Sequence, residues 1–369
     1  MESSLIHTRA VISHVHEYIS GKGFFYTKQD IVNLFLSLQT KPFVILAGIS
    51  GTGKSQLPRL FAEAMGFGEN CYLLPVRPDW TDSSDLLGFT DLHGVFQPGI
   101  LSQIIAAAHQ KPEEVFMVIL DEMNLARVEH YFSEYLSILE TRRKVDGRVL
   151  TDPLPHEAAG IPDNLMLVGT VNMDETTHPF SRKVLDRANA IEMNDIYLDW
   201  PPESEAVEAM ERVSSDIMRS RFVHARDVNK IEQERVRSSL HLMMELNDIL
   251  AGANLQFGYR IRDEIAFFML NRYEIRELLS EQEAMDIQIC QKILPRIHGS
   301  SARIGQLLRE LIIYFLPAQS ELANRFSHQV MIEHLAQLSM GQIRFPKSLQ
   351  KLSLMYQRLE EDGYTSFWM

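Results

Sequence analysis

The sequence predicts an α/β fold, a mostly parallel sheet covered by helices on both faces, followed by a region that is helical almost throughout. Three observations carry this expectation. Apolar runs of strand length at residues 43–47, 71–76, 115–120, 164–171 and 190–193 alternate with helical stretches, the pattern of strands buried on both faces. The first run passes directly into GISGTGKS at residues 48–55 and then into a helix start, which satisfies the phosphate-loop pattern G-x-x-x-x-G-K-[ST] in full. Past a Trp-Pro-Pro boundary at residues 200–202 the strand-like runs stop and helical spacing takes over.

The elements follow in order. Residues 5–20 have helical spacing through Ile12, Val15 and Ile19, and Gly21 and Gly23 break it. Asp30 is placed to cap a second helix over residues 31–38. A helix over 56–65 follows the phosphate loop, and residues 71–76 form the second strand. Residues 86–89 and 94–99 read as a short hairpin ahead of a helix over 100–109. The strand at 115–120 ends in Asp121 and Glu122, and one helix is expected over 128–140. The basic, glycine-containing stretch 142–152 reads as a hairpin or loop. The strand at 164–171 ends in Asn172, residues 181–187 form a short helix, and 190–193 a last strand. Beyond residue 202, Val236, Leu240, Met243, Met244 and Leu250 form a helical stripe. Further helices are expected over 261–270, 284–294, 302–316 and 348–359, with Gly363 ending the last. The expected domains are an N-terminal helical segment (1–30), a nucleotide-binding α/β domain (31–198) and a helical lid with a C-terminal helical region (199–369).

The chain has 369 residues, 45% of them hydrophobic and 23% charged, an ordinary globular composition with room for two or three domains. A formal net charge of −13 argues against non-specific nucleic-acid binding by the whole surface. Arg142, Arg143, Lys144 and Arg148 make the one dense basic cluster, with a solvated hairpin as its plainer reading. Cys71 and Cys290 lie far apart without ligand spacing, so two reduced thiols are expected. No apolar run reaches membrane-spanning length and the start MESS lacks a basic signal, which makes a cytoplasmic protein with no membrane contact the expectation.

In parallel α/β sheets the ligand lies beyond the C-terminal strand ends, where the polar residues of this chain cluster. Gly48, Gly51 and Gly53 allow the loop to wrap an anion, with Ser50 and Thr52 between them. The following helix aims its positive end at the same anion. Lys54 would reach the β- and γ-phosphates, and the Ser55 hydroxyl would ligate Mg²⁺. Asp121 would hold that Mg²⁺, and Glu122 would orient or deprotonate the attacking water. Asn172 would bond the γ-phosphate or the water. Arg187 is the candidate finger delivered in trans to a neighbour's γ-phosphate, the alternative being an ion pair with Asp186. Arg260 would reach over the nucleotide from the second domain, or else be an ordinary helix-surface arginine.

With these residues in place, the chain resembles the AAA+ superfamily, and within it the branch holding the nucleotide-hydrolysing subunit of McrBC-type modification-dependent restriction systems. The resemblance rests on LAGISGTGKS (46–55), DEMN (121–124), VGTVNMD (168–174), LDR (185–187), FGYR (257–260) and LPRIHG (294–299). The hairpin before the 100–109 helix looks like an insertion shared with MoxR-type ATPases. The branch's Met-Asn-Thr-Ala-Asp signature is here VNMDE (171–175), and Asp-Glu-Ile-Asn-Arg is DEMNL (121–125), which leaves GTP and ATP both open as substrate. The resemblance implies an AAA+ P-loop fold, a hexameric homo-oligomeric ring with Mg²⁺ and nucleotide between neighbours, and an McrC-like nuclease partner in anti-phage defence. The branch's DNA-reading domain is not among these residues, so DNA contact is expected through another domain or subunit. The alternatives are a MoxR-like ATPase that remodels a protein partner and a nucleotide-sensing scaffold that does not hydrolyse.

Overall fold

The computed structural model describes residues 2–155, 159–173, 178–199, 205–316 and 343–368. Two N-terminal helices, α1 (Glu2–Gly21) and α2 (Lys28–Thr40), lead into the sheet. Asp30 is not the cap of α2, as the sequence suggested. Thr27 caps it, and Asp30 is the third helical residue, closing a reciprocal capping box with the Thr27 backbone. Strand β1 (Phe43–Gly48), helix α3 (Gln56–Ala64) and strand β2 (Cys71–Pro75) follow. The expected hairpin forms from β3 (Gly88–Thr90) and β4 (Phe96–Pro98), after a one-turn helix α4 (Ser84–Leu87). Next come α5 (Ile100–Gln110) and β5 (Phe116–Asp121).

The single helix expected over 128–140 is instead α6 (Val128–Tyr131) and α7 (Ser133–Leu139). Tyr131 and Phe132 are consecutive and both fully buried. The backbone leaves helical geometry at Phe132 (φ −109°, ψ 5°). Phe132 then stacks on Tyr135 at 4.6 Å and packs against Phe43 of β1 at 5.7 Å. The basic stretch is a hairpin, β6 (Arg143–Val145) and β7 (Arg148–Leu150), turning through Asp146 and Gly147 at positive φ. Strand β8 (Leu165–Asn172), helix α8 (Arg182–Leu185) and strand β9 (Asn189–Glu192) complete the α/β part.

The main sheet is five-stranded and parallel, in the order β2–β5–β8–β1–β9. All of β1 and all but the last residue of β5 and β8 are buried, as strands covered on both faces require. Strand β2 is an edge strand and ends in Pro75, a position where a missing N–H is tolerated.

The chain divides into two compact units, residues 1–228 and 229–369. Within the first, residues 205–228 carry two short 3₁₀ turns, a break in the nearly continuous helical region expected beyond residue 202. They lie along the α/β part through bonds from Met210 N to Ala64 O (3.0 Å) and from Val213 N to Met65 O (3.1 Å). The second unit holds α9 (Lys230–Arg235), α10 (Arg237–Ala251), α11 (Tyr259–Glu274), α12 (Glu281–Gln288), α13 (Ala302–Phe315) and α14 (Pro346–Asp362). Strands β10 (His298–Gly299) and β11 (Thr365–Ser366) pair antiparallel within it. The helix expected over 284–294 passes instead from α12 into a π-helical turn, Ile289–Ile293. On α10 the buried face is Leu242, Met243, Leu246 and Leu250, while Met244 is 65% exposed. Met244 stands about 200° around the helix from Leu242 and so turns to solvent. Gly363 ends α14 at φ 70°, the left-handed C-cap that glycine adopts at little steric cost.

A candidate nucleotide site at the strand ends

The phosphate loop leaves the end of β1 at Gly48 and enters α3 at Gln56. Ser50 and Gly51 are exposed at its tip, Thr52, Gly53 and Ser55 are half-buried, and Lys54 is buried. Gly51 and Gly53 sit at φ +84° and +83°, conformations that side chains other than glycine rarely adopt. Gln56 N and Leu57 N both bond to Gly53 O, at 3.0 and 2.9 Å, and start the helix. The Lys54 ammonium donates to Ile49 O at 2.5 Å, which folds it along the inside of the loop. Asn194, just beyond β9, accepts from Ile49 N at 3.2 Å and braces the loop from the neighbouring strand.

Ser55 occupies the N-cap position of α3 but makes no capping bond. Its hydroxyl donates instead to Asp121 Oδ1 at 2.5 Å. Strands β5 and β8 pair in register up to Leu120 and Gly169, so Asp121 and Thr170 come side by side. The Thr170 hydroxyl donates to the same Asp121 oxygen at 2.7 Å and accepts from Glu122 N at 3.0 Å. Asn172 Nδ2 donates to Glu122 Oε1 at 3.3 Å, and β1 and β8 pair Gly48 with Asn172. Ser55, Asp121, Thr170, Glu122 and Asn172 therefore form one continuous hydrogen-bonded row beside the phosphate loop.

Glu122 has φ 52° and ψ 50°. A left-handed conformation costs a residue with a side chain roughly 1–2 kcal/mol, and such strain persists where the surroundings hold it. Here the Thr170 bond holds its amide, the Asn172 bond its carboxylate, and Leu125 N its carbonyl at 2.9 Å.

The hydroxyl of Ser55 and the carboxylate of Asp121 are hard oxygen donors on adjoining elements, a set suited to Mg²⁺. Among the described residues, no group of three or more His, Cys, Asp or Glu could hold a metal ion. A cation at this place would thus take its other ligands from water and phosphate oxygens, as Mg²⁺ usually does.

Arg187 lies between α8 and β9, at the opposite end of the sheet. Asn189 pairs with Val44, and the four residues from there to Gly48 span about 13 Å of strand. Its ion pair is with Glu140 (3.6 Å), which also holds Lys41 (3.1 Å), so the sequence's pairing with Asp186 is replaced by this triad. Arg260 is the second residue of α11 in the second compact unit, and it is exposed. The basic hairpin is engaged within the chain. Arg143 pairs with Asp152 (2.7 Å), Arg148 with Asp163 (3.0 Å), and Lys144 donates to Arg221 O (2.8 Å). Cys71 and Cys290 are both free thiols, and burial pushes the Cys71 thiol up to about 12. Asp174 and Glu175 lie outside the described residues.

Thr170, Tyr26 and Asn194 touch this site and were not singled out in the sequence. Thr170 had a usable signal, since it lies two residues before Asn172 and so on the same face of the strand. Tyr26 and Asn194 had none.

Strand order, phosphate-loop pattern and acidic strand end together give residues 43–192 an AAA+ P-loop fold. Comparison with known families agrees: residues 43–188 match the AAA domain (dynein-related subfamily), and residues 206–364 match a domain of unknown function, DUF8727. The sequence is similar to the McrB subunit of the type IV methyl-directed restriction enzyme EcoKMcrB of Escherichia coli strain K12, at 24% identity over 162 residues. That match covers 40% of this chain and 34% of the relative, so the chain spans about a third of that protein. Similar solved structures include a candidate ATPase of Cytophaga hutchinsonii, with a TM-score of 0.45 and 17% identity over 75% of this chain and 86% of that one. A full-length MCM homolog from Methanopyrus kandleri has a TM-score of 0.41 and 10% identity over 78% of this chain and 60% of that one. Among the described residues no helix is long and apolar enough to cross a membrane.

Proposed function

We propose that this chain is the nucleoside triphosphatase motor subunit of an McrBC-like restriction complex. It would assemble as a hexameric ring, hydrolyse GTP or ATP, and drive an McrC-like nuclease on DNA that another domain or subunit reads. The observation that carries the reading is the hydrogen-bonded row Ser55–Asp121–Thr170–Glu122–Asn172 beside a complete phosphate loop. Lys54 and the loop amides bind the phosphates. Ser55 and Asp121 hold Mg²⁺, which when bound neutralises charge on the phosphate oxygens. Glu122, fixed in its left-handed turn, orients the attacking water and takes its proton. Asn172 bonds the same water or the γ-phosphate.

The place of Arg187 at the far end of the sheet supports a role at a neighbour's nucleotide. Arg260 would report nucleotide state to the helical unit. The E. coli relative supports the restriction setting, and the dynein-related AAA match supports a second reading, a MoxR-like remodeller of a protein partner.

The test is turnover of GTP and ATP, with oligomer mass measured on the same samples and with and without an McrC-like subunit. Stimulation of hydrolysis by that subunit is expected, and its absence would favour the remodelling reading. Glu122→Gln should abolish turnover while nucleotide still binds. Inactive Lys54→Ala and Arg187→Ala subunits, once mixed, should regain part of the activity if the site is shared. No recovery would remove the trans role of Arg187.

A further inference from the structure

The phosphate loop is held by a residue that lies well ahead of Phe43, where the AAA match begins. Tyr26 is 8% exposed and donates its hydroxyl to Gly53 O at 2.9 Å. The same carbonyl accepts the two amides that open α3. In a planar trans peptide the N–H points opposite to the C=O. Whatever fixes the Gly53 carbonyl therefore aims the Lys54 N–H, on the other side of the same peptide, away from Tyr26. Gly53 makes room for the phenol as well as for the turn, because a Cβ there would lie 2.2 Å from Tyr26 Oη.

Tyr26 is itself held from both sides. The next residue, Thr27, is locked in its capping box with Asp30 by bonds of 2.7 and 2.8 Å to the carboxylate. The preceding Phe25 packs its ring on Tyr197 at 4.2 Å. Burial, and then the Asp30 charge, push the phenol up to about 12, so it is a neutral donor throughout the neutral range.

We propose that Tyr26 is a positioning residue for nucleotide binding, its hydroxyl orienting the Gly53–Lys54 peptide toward the phosphates from outside the AAA-matched segment. The proposal rests on the reading of residues 48–55 as a phosphate site. It makes the N-terminal helical pair part of the binding apparatus rather than an appendage, since the strut is fixed by the first turn of α2.

The experiment is titration of the full chain and of Tyr26→Phe with Mg²⁺–ADP, Mg²⁺–GDP and inorganic tripolyphosphate, alongside steady-state kinetics and thermal unfolding. Loss of one neutral hydrogen bond should weaken nucleotide and tripolyphosphate alike, by about 3- to 10-fold. KM should rise by the same factor with kcat within about twofold, because the bond is made equally in ground and transition states. The thermal midpoint should stay within about 3 °C of wild type, since the ring remains. Tyr26→Phe binding every ligand as wild type does would overturn the proposal, and so would a fall in kcat at unchanged KM. A wild-type chain that binds neither nucleotide nor tripolyphosphate would sink the phosphate-site reading and the proposal with it.

Discussion

Replacing Thr170 with valine keeps the branched shape on β8 and deletes one hydroxyl that serves two partners. It removes the 2.7 Å bond to Asp121 and the 3.0 Å bond from the Glu122 amide. A hydrogen bond to a charged group contributes about 1.5–3 kcal/mol and a neutral one about 0.5–1.5 kcal/mol. The second loss falls on a residue that already carries a left-handed backbone, at roughly 1–2 kcal/mol. Without the Thr170 anchor, Glu122 relaxes toward an ordinary conformation and its carboxylate leaves the Asn172 amide. Re-forming the active arrangement then costs about 1.5–2.5 kcal/mol, or about 10- to 70-fold in kcat. Phosphate release at saturating Mg²⁺–nucleotide measures this, with calorimetric nucleotide affinity as the control. Affinity should change little, because Thr170 does not touch the phosphate loop. Thr170→Ser should restore most of the rate. Thr170→Val turning over within twofold of wild type would refute the idea that this hydroxyl holds the strained turn.

Other outcomes follow from the same geometry. Glu140 lies at the C-terminal end of α7, where a carboxylate is disfavoured by the helix dipole and is offset by Lys41 and Arg187. Glu140→Gln should release Arg187 and lower turnover of the assembled protein by about 3- to 10-fold while leaving nucleotide affinity unchanged, which concentration-dependent kinetics would detect. Gly53→Ala imposes φ +83° on a residue with a side chain and drives a methyl into Tyr26 Oη; nucleotide affinity should fall at least about tenfold, as titration would show. Burial raises the folded Cys71 thiol to about 12. Its contribution to stability is therefore complete below the unfolded thiol's range and is lost from roughly pH 8.5 up to 12. Cys71→Ala should flatten the alkaline fall in unfolding free energy measured by denaturant titration, and native Cys71 should alkylate slowly at pH 8.

The sequence by itself determined the elements whose signal is local. Continuous apolar runs of strand length that alternate with helical stretches read as strands covered on both faces, so the parallel sheet was legible. The phosphate-loop pattern was legible because three glycines, a lysine and a serine stand at the spacing that pattern requires. Asp121, Glu122 and Asn172 were legible as strand-end residues, since parallel strands end on one side.

Other features depended on residues distant in sequence. The 128–140 helix breaks where Tyr131 and Phe132 both find burial, against Trp80 and Phe43 respectively. Residues 205–215 are irregular because Met210, Val213 and Ser215 place their amides on Ala64, Met65 and Glu113 of the α/β part. Arg187 found Glu140, not its sequence neighbour Asp186.

Tyr26 and Thr170 show the division most clearly. Tyrosine after two phenylalanines reads only as buried aromatic, and threonine in a β-branched strand reads only as a strand former. Each acquires its role from a single atom brought within 3 Å of a backbone group that the chain places far away in sequence. Local spacing sets which residues lie on a face, but only packing decides which polar atom meets which, because a hydrogen bond depends on tenths of an ångström that no sequence periodicity encodes.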